Sequence, residues 1–385
     1  MRRTTTLALL LTVFFMAAVS LLAAPVVAGP ESLTAVQFGQ QLALLSHKRD
    51  KVAARAIAAI RLTERPDPGQ QASWQSQLPG KDSIAALHAV VDAAAILDPP
   101  PSAIPADPQP DIQTQVQIMN RAIDYARNIL HRFPDFSALR SSTEFGIASP
   151  AQIDNERHGV YFRPRPAPPP RKDLGPAHSV PSGHLYLEES WTQPVTYRDG
   201  HEVDDAAAQG QAEQPWLTTQ GEFGPILSTV LVDAARGRLI WSHWEQDAQA
   251  RIAVFHYEVP RAISHYSVQL SADTAPEQPA YSGELSVDPD SGSILRITLH
   301  AWLQEPGTRA ETGIAVEYGH VIIGGKTYIC PVHGVAYLKF YPLSVTHDDR
   351  AAPDPTSIHL NDVTFTHYHV FRSDVRILST TGPGL

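Results

Sequence analysis

His367 and His369, two residues apart, form the most suggestive chemical pair in the 385-residue chain. On a strand, residues i and i+2 point to one face, so both imidazoles would reach one ion. A firm site needs at least three ligands, and His347, Asp348, Asp349 or His359 would supply the third. Val363, Phe365 and Phe371 share the parity of the pair, so the plainer reading is two histidines at the core edge, bonded to backbone. The candidate metal ligands are therefore His347, His367 and His369, and no cofactor is expected.

The remaining reactive side chains give less. Of 17 histidines, His243, His256, His265, His300, His320 and His333 fall singly in or beside strand-like segments. With unperturbed pKa values near ~6.5 they offer a pH-responsive surface, against a default of ordinary, satisfied strand residues. The acid pairs Glu188-Glu189, Asp204-Asp205 and Asp348-Asp349 are adjacent in sequence. Neighbours on a strand face opposite ways, so none forms an acid/base pair. Nucleophile-elbow, zincin, phosphate-loop and dinucleotide patterns are absent, so no catalytic residue is assigned. Cys330 is the only cysteine and lies in the apolar run Tyr328-Ile-Cys-Pro331. It excludes an intrachain disulfide, and with nothing nearby to lower its pKa it reads as a buried, inert thiol.

Aromatic residues carry the other possibility. Five of the six tryptophans follow residue 183, where Trp241, Phe255, Trp302, Phe365 and Phe371 are candidates for lining an apolar groove. Trp241 and Trp244, three apart on a strand, are expected to face opposite sides.

The elements that must position these residues fall into two textures. Residues 31–98 read as helical: Leu42, Leu45, Val52, Ala56 and Ile60 recur at helical steps, and a second stripe runs from Ile84 to Leu97. Residues 99–110 are a Pro-rich linker and 111–134 a further helix, its stripe formed by Val116, Met119, Ile123, Ala126 and Leu130. Residues 135–182 read as an irregular Pro-rich segment, with seven prolines between 163 and 182. From 183 to 380 strands dominate. Leu295, Ile297, Leu299, Ala301 and Leu303 alternate with Arg296, Thr298 and His300, a strand with one face buried. Tyr266, Val268 and Leu270 alternate in the same way. Asp288-Pro-Asp-Ser-Gly292 is a turn, and Gly324-Gly325 between apolar runs signals a two-residue hairpin. One helix, about 223–235, interrupts the strands, and a last strand is expected near 362–378. The fold class is α+β: an N-terminal helical region, then an antiparallel, curved, open sheet packed on a helix.

The first 28 residues set the address. Arg2 and Arg3 precede an uncharged apolar stretch, and Val26-Val27-Ala28 offers a processing site ending at Ala28. The segment reads as an export signal; an uncleaved single-helix anchor is the competing reading, since ~20 apolar residues suffice to span a bilayer. Losing Arg2 and Arg3 with it takes the net charge from −10 to −12. No dense basic cluster remains, which argues against nucleic acid as a partner.

Tyr281-Ser-Gly-Glu-Leu-Ser-Val-Asp-Pro-Asp-Ser-Gly-Ser-Ile-Leu-Arg296 resembles the strand–turn–strand of bacterial lipoprotein-carrier (LolA-like) half-barrels. Gly221-Glu-Phe-Gly224, Trp241-Ser-His-Trp-Glu245 and Gly325-Lys-Thr-Tyr-Ile-Cys-Pro331 are similar to stretches of secreted bacterial proteins. The resemblance covers about residues 185–378 and implies a concave apolar half-barrel face that holds acyl chains or lipidated peptides. The expectation is thus an exported, periplasmic or secreted, non-enzymatic protein binding a lipid, a lipidated peptide or an envelope partner. The alternatives are an envelope scaffold and a metal-dependent hydrolase built on the 347–369 group.

Overall fold

The computed structural model describes residues 31–132, 134–147, 185–198, 201–203, 225–246, 250–270, 275–305, 308–342, 355 and 357–370. The expected export segment with Ala28, most of the Pro-rich stretch, His347 and Phe371 lie outside them.

The N-terminal unit contains β1 (Glu31–Leu33), α1 (Ala35–Leu45), α2 (Asp50–Ala58), β2 (Ile60–Leu62), α3 (Pro68–Gln77) and α4 (Lys81–Asp92). Two capping boxes define helix starts: Thr34 with Gln37 at α1, and Asp67 with Gln70 at α3, where Pro68 occupies the first turn without losing a needed donor. Pro68 therefore begins a helix. Helix α4 starts after Gly80, which has no side chain to cap it. Asp50 of α2 does so instead, accepting from the Asp82 and Ser83 N–H groups at 3.1 and 2.9 Å. Expected to be helical throughout, the region also holds a parallel strand pair, β1 with β2. Phe38, Leu42, Ile57, Trp74, Leu87 and Val90 form its own core, with Phe38 and Trp74 edge to face at 5.2 Å.

After the linker come α5 (Ile112–Arg132) and β3 (Phe136–Gly146). Strand β3 corrects the expectation of an irregular segment from 135. Phe136, Ala138, Arg140 and Ser142 are buried in alternation, a short period-two signal eclipsed by the prolines downstream. Then follow β4 (Tyr186–Arg198), β5 (His201–Val203), α6 (Pro225–Arg236), β6 (Arg238–Gln246), β7 (Arg251–Val259), β8 (Tyr281–Val287), β9 (Ile294–Glu305), β10 (Thr308–Ile323), β11 (Lys326–Pro342) and β12 (Ser357–Val370). Among the described residues, ten strands form one open, curved, antiparallel sheet in the order β5-β4-β3-β12-β11-β10-β9-β8-β7-β6. The α+β class and the open curved sheet are as the sequence predicts. Gly324 and Gly325, at φ 60° and 80°, make the expected tight β10–β11 turn, where a side chain would be strained.

Both faces of the sheet are covered. On one, α5 and α6 bring Ile118, Ala122, Leu227 and Val230 against Phe255, Tyr257, Leu285, Ile297 and Val316. On the other, α4 lays Ala85, Ala89 and Ala93 over Phe145, Val335, Tyr337 and Leu360. Strand β9 was expected to keep one face in water. Instead Arg296 and Thr298 are 7% and 6% exposed: Arg296 donates to the Ala95 carbonyl, and Thr298 Oγ1 accepts from the Glu284 N–H.

Three further expectations change. The segment 266–270 makes only the isolated bridge Val268–Glu277. A bulge between Trp241 and His243 turns both tryptophans into the core under α5 and α6, with ring centroids 4.7 Å apart rather than on opposite faces. A second bulge, between Thr366 and His369 with His367 at φ 53°, reverses the phase of β12. Tyr368 and Val370 then pack inward beside Phe136, and His367 and His369 are exposed. No helix of the described residues is long and apolar enough to cross a membrane.

Candidate metal centre

Helix α4 carries His88 and Asp92 one turn apart, hence on one side of the helix, and this side lies over β11 and β12. Strand pairing does the rest. His333 of β11 lies opposite Thr364, and Asp362 of β12 opposite Val335, so His333 and Asp362 are diagonal neighbours on the covered face. The row continues through directly paired residues: Glu317 opposite His333, Arg296 opposite Glu317, Ser286 opposite Arg296.

One ligand atom each from Asp92, His333 and Asp362 lies within 4.8 Å of the others, a spacing that suits a single ion. His333 Nε2 is 2.9 Å from Asp362 Oδ1 and 3.7 Å from Asp92 Oδ1; its Nδ1 is 3.5 Å from Glu317 Oε2. His88 Nδ1 is 3.7 Å from Asp362 Oδ2. Asp92 is 1% exposed and Asp362 5%. Neither carboxylate oxygen of Asp92 has a hydrogen-bond partner among the described residues, and nor does His88 Nε2. Buried oxygens of this kind are costly unless something completes them.

The electrostatics sharpen the point. Burial, with Asp362 alongside, pushes the Asp92 carboxyl well above the usual range. Burial also acts against ionised Asp362, yet His333 and His88 hold it below the usual range. Burial disfavours a charged His333, but Asp362 and Glu317 outweigh it and raise His333 well above 6.5. Farther along the seam, Arg65 pairs with Glu245 at 2.5 Å, and His243 approaches the same carboxylate at 3.2 Å. Against burial, His243 and Arg65 hold Glu245 down at about 2. Against burial, His333 and Arg296 do the same to Glu317, also at about 2. Arg296 itself is brought to about 10 by burial and by Arg65, and donates to the Ala95 carbonyl.

In this seam Arg65 and Arg296 offset Glu245 and Glu317, leaving the two carboxylates of Asp92 and Asp362. With His333 neutral, as ligation requires, their charge matches one divalent cation. Two carboxylate oxygens and an imidazole nitrogen, with a second imidazole adjacent, suit zinc, manganese or ferrous iron better than calcium, which takes six or more oxygens. Glu317 at His333 Nδ1 is the carboxylate that orients a ligating imidazole. The known protein families, characterised proteins and solved structures contain no match to this chain. Its chemistry is read from these atoms.

The residues nominated from sequence are elsewhere. His367 contacts Thr366 Oγ1 at 2.9 Å and His369 is exposed; neither joins the trio. His347 and Phe371 lie outside the described residues. Phe255 is core, and Trp241 packs on it at 5.4 Å. Phe365 is buried in a separate cluster near Phe136. Trp302 is 38% exposed on the other face, under the Arg309 guanidinium at 3.7 Å. These four do not line one groove. Cys330 is buried, and burial pushes its thiol up to about 12, as expected of an inert cysteine. His333 is expected from sequence only as a satisfied or pH-responsive strand histidine, and Asp92, Asp362 and His88 are not among the expected site residues. The available signal was an acid inside an apolar pattern, in Val90-Val-Asp92 and Leu360-Asn-Asp-Val-Thr-Phe365.

Proposed function

We propose that this chain is an exported protein that binds a divalent transition-metal ion between its N-terminal helical unit and its sheet. The observation that carries the reading is Asp92: a fully buried carboxylate with no hydrogen bond, aimed at Asp362 and His333. Arg2, Arg3 and the apolar stretch ending at Ala28 support export. Binding rather than turnover is favoured because the carboxylate ligands are closed off, and closed sites serve structure while catalytic ones keep an open position. The apolar-ligand reading implied by the resemblance has weaker support, since α5 and α6 fill the face that would carry such a groove.

The test is metal analysis of the purified full chain, with calorimetric titration of Zn²⁺ and Mn²⁺ into chelator-treated protein. Binding of a single ion, lost in Asp362→Asn and His333→Ala, is the expected result. Absence of both bound metal and binding heat would remove the proposal. Export is tested separately: the secreted form should begin at Gly29.

A further inference from the structure

We infer that the ion is a latch: its occupancy holds the helical unit, residues 31–97, against the sheet, and its removal lets that unit swing away. This rests on the metal-binding reading above and adds to it what the ion controls.

Three observations carry it. The ligands are divided, Asp92 from α4 and His333 and Asp362 from β11 and β12, so neither side completes the set alone. The helical unit has a core of its own, built around Phe38, Leu42, Ile57 and Leu87, none of it borrowed from the sheet; the unit can therefore leave without unfolding. What α4 contributes to the apolar part of the seam is mainly alanine, which buries little area per residue. The attachment permits the motion. The connection meets the sheet at its two ends: Arg296 donates to the Ala95 carbonyl beside α4, and at the far end Trp244 Nε1 donates to the Pro108 carbonyl at 3.2 Å and Arg251 meets Asp107 at 3.3 Å. Residues 98–106, between these two ends, are the hinge.

The experiment measures the distance between nitroxides on the full chain at two exposed positions, Lys51→Cys on α2 and Ala235→Cys on α6, with Cys330 protected by burial. With Zn²⁺ the distribution should be narrow; after chelation it should broaden and lengthen, while far-UV circular dichroism stays unchanged. A third arm adds Asp92→Asn, which removes the one ligand that the helical unit supplies. It should lose the ion and give the broad distribution with Zn²⁺ present. Zn²⁺ binding by calorimetry with the same narrow distance in both states overturns the latch and leaves the metal centre standing. No binding of either Zn²⁺ or Mn²⁺ overturns both. An Asp92→Asn chain that binds no ion yet stays narrow with Zn²⁺ overturns the latch.

Discussion

The two faces of the sheet are closed by opposite means. Under α5 and α6 the contact is apolar and continuous: Phe255, Tyr257, Leu285, Ile297 and Val316 meet Ile118, Leu227 and Val230. Its buried carboxylate, Asp233, accepts from the His265 N–H and from the Tyr281 hydroxyl at 2.8 Å and meets the His265 ring at 2.5 Å. Under α4 the contact is mixed. A patch of alanines on aromatic and aliphatic residues lies next to a row of charges, one of which has no hydrogen bond. An apolar face holds under any solution condition that keeps water out. A face built on buried charge holds only when its charges are matched, and so can be undone by a small solute.

That contrast can be broken or sharpened in order of effect. Leu285→Ala, fully buried under α6, should cost about 2–5 kcal/mol in urea denaturation, with or without metal. An equal loss from a surface control would erase the distinction. Saturating Zn²⁺ should raise the stability of the native chain by about 3 kcal/mol at 100 times Kd. The rise should vanish in Asp362→Asn and persist in Tyr281→Phe. Acid titration probes the polar face at Glu311, where burial opposes ionisation but His300, Lys339, Tyr341 and Tyr337 hold the carboxyl at about 2. A depressed carboxyl stabilises the fold above its unfolded value near 4.5, and this contribution fades as pH falls through about 2. Glu311→Gln should flatten that part of the profile by roughly 1–3 kcal/mol. Tyr281→Phe should cost about 1 kcal/mol, the loss of one hydrogen bond to Asp233. Smallest of all, His367→Ala and His369→Ala should leave metal content unchanged and stability within about 0.5 kcal/mol.

The elements were legible in sequence wherever their signal is local. Gly324-Gly325, the Asp288–Gly292 turn, α5 and the β9 alternation follow from periodicity and turn chemistry. Strand parity failed at both bulges. One inserted residue at His367 reverses every later side chain, and nothing in Thr366-His-Tyr-His369 announces it. The metal centre was illegible for a different reason. Asp92, His333 and Asp362 come from a helix and two strands whose meeting depends on how the N-terminal unit docks, and docking leaves no short-range mark. Arg296 and Thr298 misled in the same way, since polar residues on an alternating strand read as solvent-facing until a second layer is known to cover them.

The position of β12 has a consequence for the order in which the molecule can assemble. It is the last described strand in the chain, yet it lies inside the sheet, between β3 and β11. Until it is available, β5-β4-β3 and β11 through β6 share no strand pairing and remain separate ribbons. Joining them is therefore a late, long-range closure, the kind of step that keeps folding slow. Asp362 arrives with that strand, so the ion's full coordination set comes into existence only when synthesis has passed residue 362 and the ribbons have met.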